Sequence, residues 1–326
     1  MLQNYPNKHY IIDGFTQGFH LGFVGPECPT RGRNKSTVNK NLEITRDKIT
    51  QEIKINRIAG PFTNPPLDNF KISPLALRPK SNPNKYRLLH NLSFPYDHTS
   101  VNLNIPESHS KVTYDSLYSA IKIIQDIPNA SLAKSDLADA FRIIPLHPSQ
   151  FHLTGFELDN KFYFDRCLPQ GCSSSCYIFE QFSDSLAWIM RTHYKATNVV
   201  KVLDDFLFIN HSPVSTATDL SNFANMCGHL GVPIAKQKNV GPTHCLTFLG
   251  IEIDTINMTA KLPKEKLTRY SQNIDYLLST KKCTLRELKS LLGQLQYSTS
   301  VTPSREMLLT SHVSRHHRYN QTIPLH

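Results

Sequence analysis

Two adjacent carboxylates, Asp204 and Asp205, stand between two mostly apolar runs of the chain, at 199–203 and 206–209. The runs predict a β-hairpin that carries both aspartates at its turn. Because neighbouring carboxylates repel each other, a bound cation is one way to stabilise such a pair. Aspartate is also a common turn residue, so these two residues by themselves fit an ordinary turn better than a metal site.

A third carboxylate, Asp136, ends a predicted strand at 130–136. If this strand pairs beside the hairpin, Asp136 lies next to Asp204. Carboxylates on neighbouring strands can hold two divalent ions ~3.5–4 Å apart, the spacing that supports in-line phosphoryl transfer. One ion lowers the pKa of a primer 3′-hydroxyl, and the other holds the triphosphate and the leaving pyrophosphate. We therefore predict a nucleotidyl-transfer site with two Mg²⁺ or Mn²⁺ ions.

The elements around the three aspartates predict an α+β fold, with helices packed on an antiparallel sheet. Alternating apolar residues predict the hairpins, and apolar residues at helical spacing predict the helices. From residue 114 onward the predicted order is helix 114–124, strand 130–136, hairpin 152–165, helix 173–191, hairpin 199–209, helix 215–230 and strand 248–254.

The other segments differ in composition. Residues 25–41 are polar and rich in turn formers, which predicts a loop or arm, and 44–58 predicts an amphipathic helix. The segment 59–109 contains eight prolines and is predicted to be extended and irregular. The tail is predicted to be helical, and Thr284 with Glu287 has the spacing of a capping box.

Composition excludes several classes of protein. The chain has 326 residues, of which 39% are hydrophobic, enough to bury a core. Residues 1–10 are polar and no apolar run approaches the ~20 residues that span a bilayer. We therefore expect a soluble intracellular protein of the cytoplasm or nucleus, with no membrane partner. The seven cysteines form no CxxC pair, which predicts reduced and mostly buried thiols.

Charge is unevenly distributed along the chain. The formal net charge is +7 for residues 1–134, −4 for 135–260 and +7 for 261–326, which makes the total of +10. Basic outer parts suit a protein that grips a polyanion, and an acidic middle suits one that holds cations there. Net charge alone leaves ordinary solvated surface as an equal alternative.

Five motifs, taken in order, resemble those of the reverse transcriptase family. They are Lys85–His90 (KYRLLH), Asp136–Phe141 (DLADAF), Leu168–Gly171 (LPQG), Leu203–Asp205 (LDD) and Phe248–Ile253 (FLGIEI). One such motif is a weak signal, whereas five in order are specific. The resemblance runs from about residue 56 to 303 and is strongest to DIRS-like retrotransposons, the tyrosine-recombinase class. Phrases shared with that class are AGPF at 59–62, RLLHNLSFP at 87–95, AFRIIPLHP at 140–148 and FLGIEIDT at 248–255.

The resemblance implies a right-hand polymerase fold. Its palm would be an antiparallel, ferredoxin-like sheet backed by helices, and fingers and a small helical thumb would flank it. It implies an N-terminal extension at 1–58, fingers and palm at 59–255, and a thumb with the start of a connection at 256–326.

The resemblance also implies the roles of the catalytic residues. Asp136, Asp204 and Asp205 match the metal-binding carboxylates, and the carbonyl of Leu137 matches a further metal ligand. Phe141 matches the steric-gate aromatic, whose ring leaves no room for a 2′-hydroxyl and so favours deoxynucleotides. Without its motif, Phe141 would be read as a core phenylalanine.

Residues of the fingers motif and its surroundings are implied to bind the nucleotide. Arg87 matches the arginine that clamps the triphosphate through its fork of donors, and Lys85 or Lys80 would assist. Asp139, inside the DLADAF motif, is assigned to the same nucleotide site. Outside their motifs, these charged residues would be read as solvated surface.

Further residues are implied to lie around the nucleotide. Gln170 and Gly171 match the loop that lies against the nucleotide and template, and Lys238, with Lys236 close by, matches the lysine that protonates pyrophosphate. Val202 departs from the family, which usually has an aromatic residue two positions before the first aspartate of the hairpin.

Three functions compete at this stage. The first is an RNA-directed DNA polymerase of a retrotransposon, which extends a primer on an RNA or DNA template with dNTPs. The second is a catalytically inactive remnant that binds nucleic acid, and the third is a template-independent or DNA-templated polymerase. Because no ribonuclease H carboxylate set follows the tail, we expect a piece of a polyprotein, whose other domains would be partners, or a shortened copy.

Overall fold

The computed structural model describes residues 1–79, 86–280, 282–301 and 322–324, the last three as backbone. The chain forms two compact units, each built from two separate stretches. The first unit contains Met1–Tyr114 and Ala138–Ile189, and the second contains Asp115–Leu137 and Met190–His326.

Helices and mostly antiparallel strands alternate along the described residues. The helices are α1 (Lys8–Gln17), α2 (Ser36–Asn39), α3 (Leu42–Lys54), α4 (Leu117–Gln125), α5 (Ser175–His193), α6 (Pro213–Leu230), α7 (Lys264–Thr280) and α8 (Leu285–Ser298). The strands are β1 (Thr30–Arg31), β2 (Ile58–Phe62), β3 (Lys71–Ile72), β4 (Leu75–Pro79), β5 (Tyr86–His90), β6 (Ser131–Asp136), β7 (Gly155–Leu158), β8 (Lys161–Asp165), β9 (Val199–Val202), β10 (Asp205–Asn210), β11 (Val240–Thr243), β12 (Cys245–Phe248), β13 (Ile251–Asp254), β14 (Thr259–Lys261) and β15 (Thr322–Pro324). The predicted α+β class is confirmed.

The first unit contains a five-stranded sheet in the order β1-β3-β7-β8-β2 and a separate β4–β5 hairpin. Helix α3 shares one core with the sheet and with the hairpin: its Ile49 packs with Leu75 and Leu77 of β4 and with Phe156 of β7. The N-terminal helix α1 packs on α5, where the rings of Phe15 and Phe182 lie 5.2 Å apart.

The second unit is built on a four-stranded antiparallel sheet in the order β11-β6-β10-β9. Its inner strand β10 is covered on both faces. Because successive side chains of a strand point to opposite faces, a run that is buried on both faces must be apolar at every position. Phe206 and Phe208 pack against Phe223 of α6, whereas Leu207 and Ile209 join the core cluster that includes residues of α4 and of β12–β14. The continuous apolar run at 206–209 is thereby explained.

Three predicted elements differ from the structure. The strand predicted at 248–254 was wrong as a single element, because Leu249 and Gly250 take left-handed conformations and turn the chain between β12 and β13. The helix predicted at 44–58 ends at Lys54, since Asn56 is left-handed and β2 begins at Ile58. The first run of the 152–165 hairpin begins only at Gly155, because a 3₁₀ turn that starts at a proline precedes it.

Helices α7 and α8 form the tail of the described chain. The capping box predicted at the start of α8 is confirmed, because Thr284 Oγ accepts from the Glu287 N–H (3.2 Å) and Glu287 Oε2 accepts from the Thr284 N–H (2.7 Å). Lys266 Nζ donates to the Gly250 carbonyl and to the Tyr297 hydroxyl, both at 3.1 Å. These bonds connect α7 and α8 to the β12–β13 turn.

All seven cysteines lie within the described residues and are free thiols, as predicted for a reduced chain. The prediction that most of them are buried was wrong, because only Cys172 and Cys227 are buried and Cys245 and Cys283 are exposed. In the described part of the chain, no helix combines the length and the apolarity that crossing a membrane requires.

Candidate active site

Strand pairing in the second unit brings two of the predicted catalytic carboxylates face to face. In the β6–β10 ladder, Asp136 is the direct partner of Asp205. The Leu137 N–H, one residue beyond, donates to the main-chain carbonyl of Asp204 (2.9 Å). The sequence placed Asp136 beside Asp204; the register instead sets it opposite Asp205, with Asp204 in the adjoining turn. This follows from the antiparallel ladder, where directly opposed residues share a face.

The turn that carries Asp204 has only two residues. Val202 pairs with Asp205, so Leu203 and Asp204 alone connect β9 to β10. Leu203 has φ +52°, a left-handed conformation that costs a residue with a Cβ on the order of 1 kcal/mol or more. Such strain persists only where the surrounding structure fixes the backbone, and it is concentrated at functional sites. The two pairing strands and the Leu137 bond supply that constraint.

Two lysine ammonium groups lie against the carboxylates. Lys238 Nζ is 2.9 Å from Asp136 Oδ2, and Lys134 Nζ is 3.1 Å from Asp205 Oδ1. The Asp136 side chain is almost fully buried, with 6% exposed, whereas Asp205 keeps 25%. Both carboxylates therefore interact with cationic groups in a partly desolvated site, where such charges act more strongly than in water.

The pKa values report how close the charges are. The pKa of Asp205 is raised to about 6, chiefly by burial and also by a hydrogen bond and the charge of Asp136, while Lys134 opposes them. The pKa of Lys238 is raised first by its hydrogen bond to Asp136, and also by the charges of Asp136, Asp204 and Asp205. A single ammonium group thus senses all three carboxylates.

The chemistry of this group fits a divalent cation. Asp205 Oδ1 is buried and makes no hydrogen bond of normal geometry, so its contact with Lys134 is an ion pair only. The charge of Asp136 is one of the causes that raise the pKa of Asp205, and a cation between the two carboxylates would offset it. Among the described residues no three acidic, histidine or cysteine side chains are grouped as a finished ligand set. What the described side chains offer a cation is therefore the Asp136–Asp205 pair, with Asp204 in the adjoining turn.

The other predicted site residues lie in the first unit. Phe141 follows a left-handed Asp139 in a 3₁₀ turn, and its ring meets that of Phe179 edge-on, with centroids 5.5 Å apart. The Asp139 carboxylate accepts a hydrogen bond from Arg57 (2.9 Å). Both predicted nucleotide roles, for Phe141 and for Asp139, stay predictions.

Arg87 is exposed on β5, and its cross-strand partner is Arg78 on β4, which is also exposed. Like charges directly opposite each other destabilise a hairpin, and an anion bound between them removes that cost. Two adjacent guanidinium groups suit a phosphate chain. Lys80 and Lys85, the other predicted triphosphate contacts, lie outside the described residues.

Gln170 and Gly171 form a loop that contacts the end of β5. The His90 N–H donates to the Gln170 carbonyl (2.9 Å). Gly171 has φ +134°, and a Cβ at this position would stand 2.0 Å from the His90 carbonyl oxygen. Only glycine allows this close approach of two backbones.

A comparison with protein families decides the identity of the fold. The family described as "Reverse transcriptase (RNA-dependent DNA polymerase)" matches residues 78–253, more than half of the chain. The chain belongs to the reverse transcriptase family. The matched range contains β6, the β9–β10 hairpin and the Gln170–Gly171 loop, so the motifs that first indicated the family lie within it.

Retroviral polyproteins are among the relatives. The Gag-Pro-Pol polyprotein of Human T-cell leukemia virus 3 (strain 2026ND) is 29% identical over 187 residues, which are 55% of this chain and 12% of the relative. That of Human T-cell leukemia virus 2 is 26% identical over 296 residues, 86% of this chain and 18% of the relative. The chain therefore spans less than a fifth of the length of these relatives.

Solved reverse transcriptases share the right-hand polymerase fold. The foamy viral protease-reverse transcriptase in complex with RNA/DNA hybrid has a TM-score of 0.65 and 18% identity, over 85% of this chain and 33% of that one. The foamy viral protease-reverse transcriptase dRH in complex with ds DNA has a TM-score of 0.61 and 17% identity, over 87% of this chain and 45% of that one. At such identities the likeness establishes the fold.

Two residues that lie next to predicted ones, Lys134 in the second unit and Arg78 in the first, were not predicted from the sequence. Lys134 lies two positions before Asp136 on the same face of β6, and Arg78 faces Arg87 across the β4–β5 hairpin. The period of two along β6 was a sufficient signal for Lys134. Arg78 gave no such signal, since its pairing depends on the register of a hairpin whose connecting residues contain no turn motif that fixes it.

Proposed function

We propose that this chain is an RNA-directed DNA polymerase that adds dNTPs to a primer 3′-hydroxyl by two-metal-ion phosphoryl transfer. The observation that carries the proposal is the pairing of Asp136 with Asp205, next to Asp204, inside a chain of the reverse transcriptase family. Three acidic groups acting on one ammonium group make a site that a divalent cation would stabilise.

The metal ligands in this proposal are the three carboxylates and the carbonyl of Leu137. Reverse transcriptases generally use divalent ions, and two Mg²⁺ or Mn²⁺ ions are proposed here. When bound, the ions activate the primer hydroxyl and neutralise the charge of the leaving pyrophosphate. Asp136 and Asp205 hold their carboxylates in register from adjacent strands, and the strained turn fixes Asp204 beside them.

Nucleotide-binding roles are proposed for the residues that the family motifs assign to the nucleotide. Arg87, with Lys85, would bind the triphosphate, and Gln170 and Gly171 would lie against the base pair, with Asp139 in the same site. Lys238 Nζ is an ammonium group at neutral pH, as lysine ordinarily is, and it would donate a proton to a leaving phosphate oxygen.

Removing the charge of Lys134 should tighten metal binding. Lys134→Met takes a positive charge away from Asp205, 3.1 Å from its Oδ1. We expect the dissociation constant for Mn²⁺ at pH 8, where Asp205 is ionised, to fall about tenfold, the order that a nearby unit charge produces at partial exposure. The measurement is a titration followed by electron paramagnetic resonance of free Mn²⁺.

Lys261→Met provides the matched control for this titration. It breaks a lysine–glutamate ion pair of similar length, 3.0 Å to Glu252, in the same unit and away from the aspartates. Its metal affinity should equal that of the wild type. An unchanged or weaker affinity of Lys134→Met would contradict a cation site at Asp205.

Removing the ring of Phe141 should relax sugar discrimination. Phe141→Ala deletes a side chain that is held in place by its edge contact with Phe179. If the ring blocks the 2′-hydroxyl, incorporation of ribonucleotides relative to deoxynucleotides should rise roughly 10- to 100-fold. The measurement compares kcat/KM for rUTP and dTTP on one primed template.

Phe151→Ala is the control for Phe141. It removes a half-buried ring of the same unit that stacks on Phe164 with centroids 5.1 Å apart. Phe151 lies outside the DLADAF motif, so Phe151→Ala should have the sugar selectivity of the wild type. Equal selectivity of Phe141→Ala and wild type would remove the gate from the proposal.

Metal-dependent primer extension tests the proposed function. Purified protein is given a primed RNA template, a primed DNA template and an unprimed strand, with Mg²⁺ and dNTPs. Extension on primed RNA supports the proposal, and activity only on DNA or on the unprimed strand favours a DNA-templated or template-independent enzyme. No extension with intact binding favours the inactive, nucleic-acid-binding alternative, which Val202 in place of an aromatic residue suggests.

The finer identity belongs to the same proposal. The shared phrases favour a DIRS-like retrotransposon as the source, and other domains of a retroelement polyprotein are proposed as partners because the retroviral relatives are polyproteins. We propose a primed RNA or DNA template and dNTPs as ligands, in the cytoplasm or nucleus. The N-terminal extension to 58, the fingers and palm to 255 and the thumb beyond it stay predictions.

A further inference from the structure

One amide side chain bonds the loop of Gln170 and Gly171 at the glycine carbonyl and at the N–H of Ser173, two residues later. Asn102 Nδ2 donates to the Gly171 carbonyl (2.9 Å), and Asn102 Oδ1 accepts from the Ser173 N–H (2.9 Å). The second Nδ2 hydrogen goes to Ser93 Oγ (2.8 Å). All these groups lie in the first unit.

The direction of this amide is determined by its partners. A reversed Asn102 amide would set Nδ2 against the Ser173 N–H and Oδ1 against the Gly171 carbonyl, so that both bonds would be lost. The site needs a donor and an acceptor on one short planar group, which only asparagine provides at this length. Aspartate has the same shape but cannot donate when ionised.

The base of this amide is itself fixed. The Asn102 N–H donates to the Leu92 carbonyl (3.0 Å), in the segment that follows β5. His90, the last residue of β5, donates its backbone N–H to the Gln170 carbonyl. The buried ring of His90 contacts Asp165 Oδ2 and the Gly155 carbonyl, each at 3.1 Å. The loop is therefore tied to β5 by its backbone and to the 3₁₀ turn at Asn102 by the amide.

The side chain of Gln170 carries an acceptor that is not used inside the protein. Its Oε1 atom is buried and makes no hydrogen bond among the described residues. A buried acceptor without a partner is costly, and its cost is met when a ligand donor reaches it. The fixed loop keeps this amide in one place before any ligand arrives, which lowers the ordering cost of binding.

We propose that Asn102 is a positioning residue for the incoming nucleotide: its amide holds the Gln170–Gly171 loop in the conformation that binds the nucleotide. The inference rests on the proposed function, which assigns this loop to the nucleotide. Asn102 itself touches only protein groups, so it acts through the loop. Its loss should weaken nucleotide binding more than it slows the chemical step.

The test compares Asn102→Ala and Asn102→Asp with Asn104→Ala. Asn104 lies in the same 3₁₀ turn and also donates two bonds, to the His98 and Ser100 carbonyls (2.8 Å each), and neither reaches the loop. For both Asn102 variants we expect the KM for dTTP to rise about tenfold, the size that one or two net hydrogen bonds carry, with kcat lowered less than threefold. Asn104→Ala should keep the wild-type KM.

A second measurement does not depend on turnover. Hydrogen exchange of the peptide that contains Ser173 should become at least tenfold faster in Asn102→Ala and stay unchanged in Asn104→Ala, because the Ser173 N–H loses its acceptor. Retention of dTTP by a complex with a dideoxy-terminated primer gives the affinity directly. Unchanged exchange, or faster exchange with unchanged dTTP affinity, overturns the inference, as does an equal KM change in Asn104→Ala. A wild type that binds dTTP but does not extend a primer overturns the proposed function alone.

Discussion

Asp204→Asn is expected to lower the rate of primer extension by at least ~10³-fold, a loss of about 4 kcal/mol of transition-state stabilisation. The amide has the shape of the carboxylate but no charge, so it cannot share the charge of a divalent ion. The backbone contact that fixes the turn, from the Leu137 N–H to the Asp204 carbonyl, does not involve the side chain and should be kept. The measurement is single-turnover extension at saturating Mg²⁺ and dNTP.

The matched control is Asp219→Asn. Asp219 lies on α6 in the same unit, half-buried, and accepts a hydrogen bond from Asn210 Nδ2 (2.8 Å). It lies outside the catalytic motifs, so extension should stay within roughly twofold of the wild type. Both variants should bind primed template nearly as the wild type does, since phosphate contacts dominate that affinity. Equal extension by Asp204→Asn and wild type would remove Asp204 from the catalytic group.

The centre of the second unit was readable from sequence because local rules determine it. The two apolar runs beside the aspartates predicted the β9–β10 hairpin, and the strand that ends at Asp136 was predicted as its neighbour. Because β10 is apolar and buried on both faces, its burial pattern did not determine the register, and the pairing of Asp136 with Asp205 instead of Asp204 was seen only in the structure.

Long-range contacts could not be read in this way. The chain passes from one compact unit to the other at residues 114–115, 137–138 and 189–190, and the last of these points lies inside α5, where no change of pattern marks it. The packing of α1 on α5 depends on ring contacts such as Phe15 with Phe182, whose centroids lie 5.2 Å apart. A residue's sequence neighbours carry no signal for such partners. The capping box of α8, by contrast, joins two residues only three positions apart, and the sequence predicted it correctly.

Asp165→Asn is expected to destabilise the protein by about 3 to 5 kcal/mol. Asp165 Oδ1 lies 2.7 Å from Arg142 Nη1, and Oδ2 lies 3.1 Å from His90 Nδ1, with all three side chains nearly buried. Replacing the carboxylate leaves the Arg142 charge without its main partner, although Glu52 still accepts from Arg142 Nε (2.9 Å). The measurement is the free energy of unfolding in urea at pH 7.

Asp159→Asn is the control for this comparison. Asp159 pairs with Arg46 at 2.7 Å, but the Asp159 side chain is 41% exposed. Exposed ion pairs contribute about 0 to 1 kcal/mol, so its unfolding free energy should change by no more than that. If Asp165→Asn costs no more than Asp159→Asn, the buried group does not stabilise the first unit as argued.

The same carboxylate predicts how stability depends on pH. Burial acts to raise the pKa of Asp165, but the Arg142 charge and the His90 hydrogen bond more than offset it, so the folded pKa lies below the ordinary value of 3.8. A depressed pKa means that the unfolded chain binds the proton first as pH falls. The stabilisation by Asp165 is therefore complete well above pH 3.8 and is lost as pH falls through the folded pKa. The difference in unfolding free energy between wild type and Asp165→Asn should stay constant from pH 8 to about 5 and shrink below pH 4. A difference that instead grows as the pH falls would have the opposite sign and would exclude the depressed pKa.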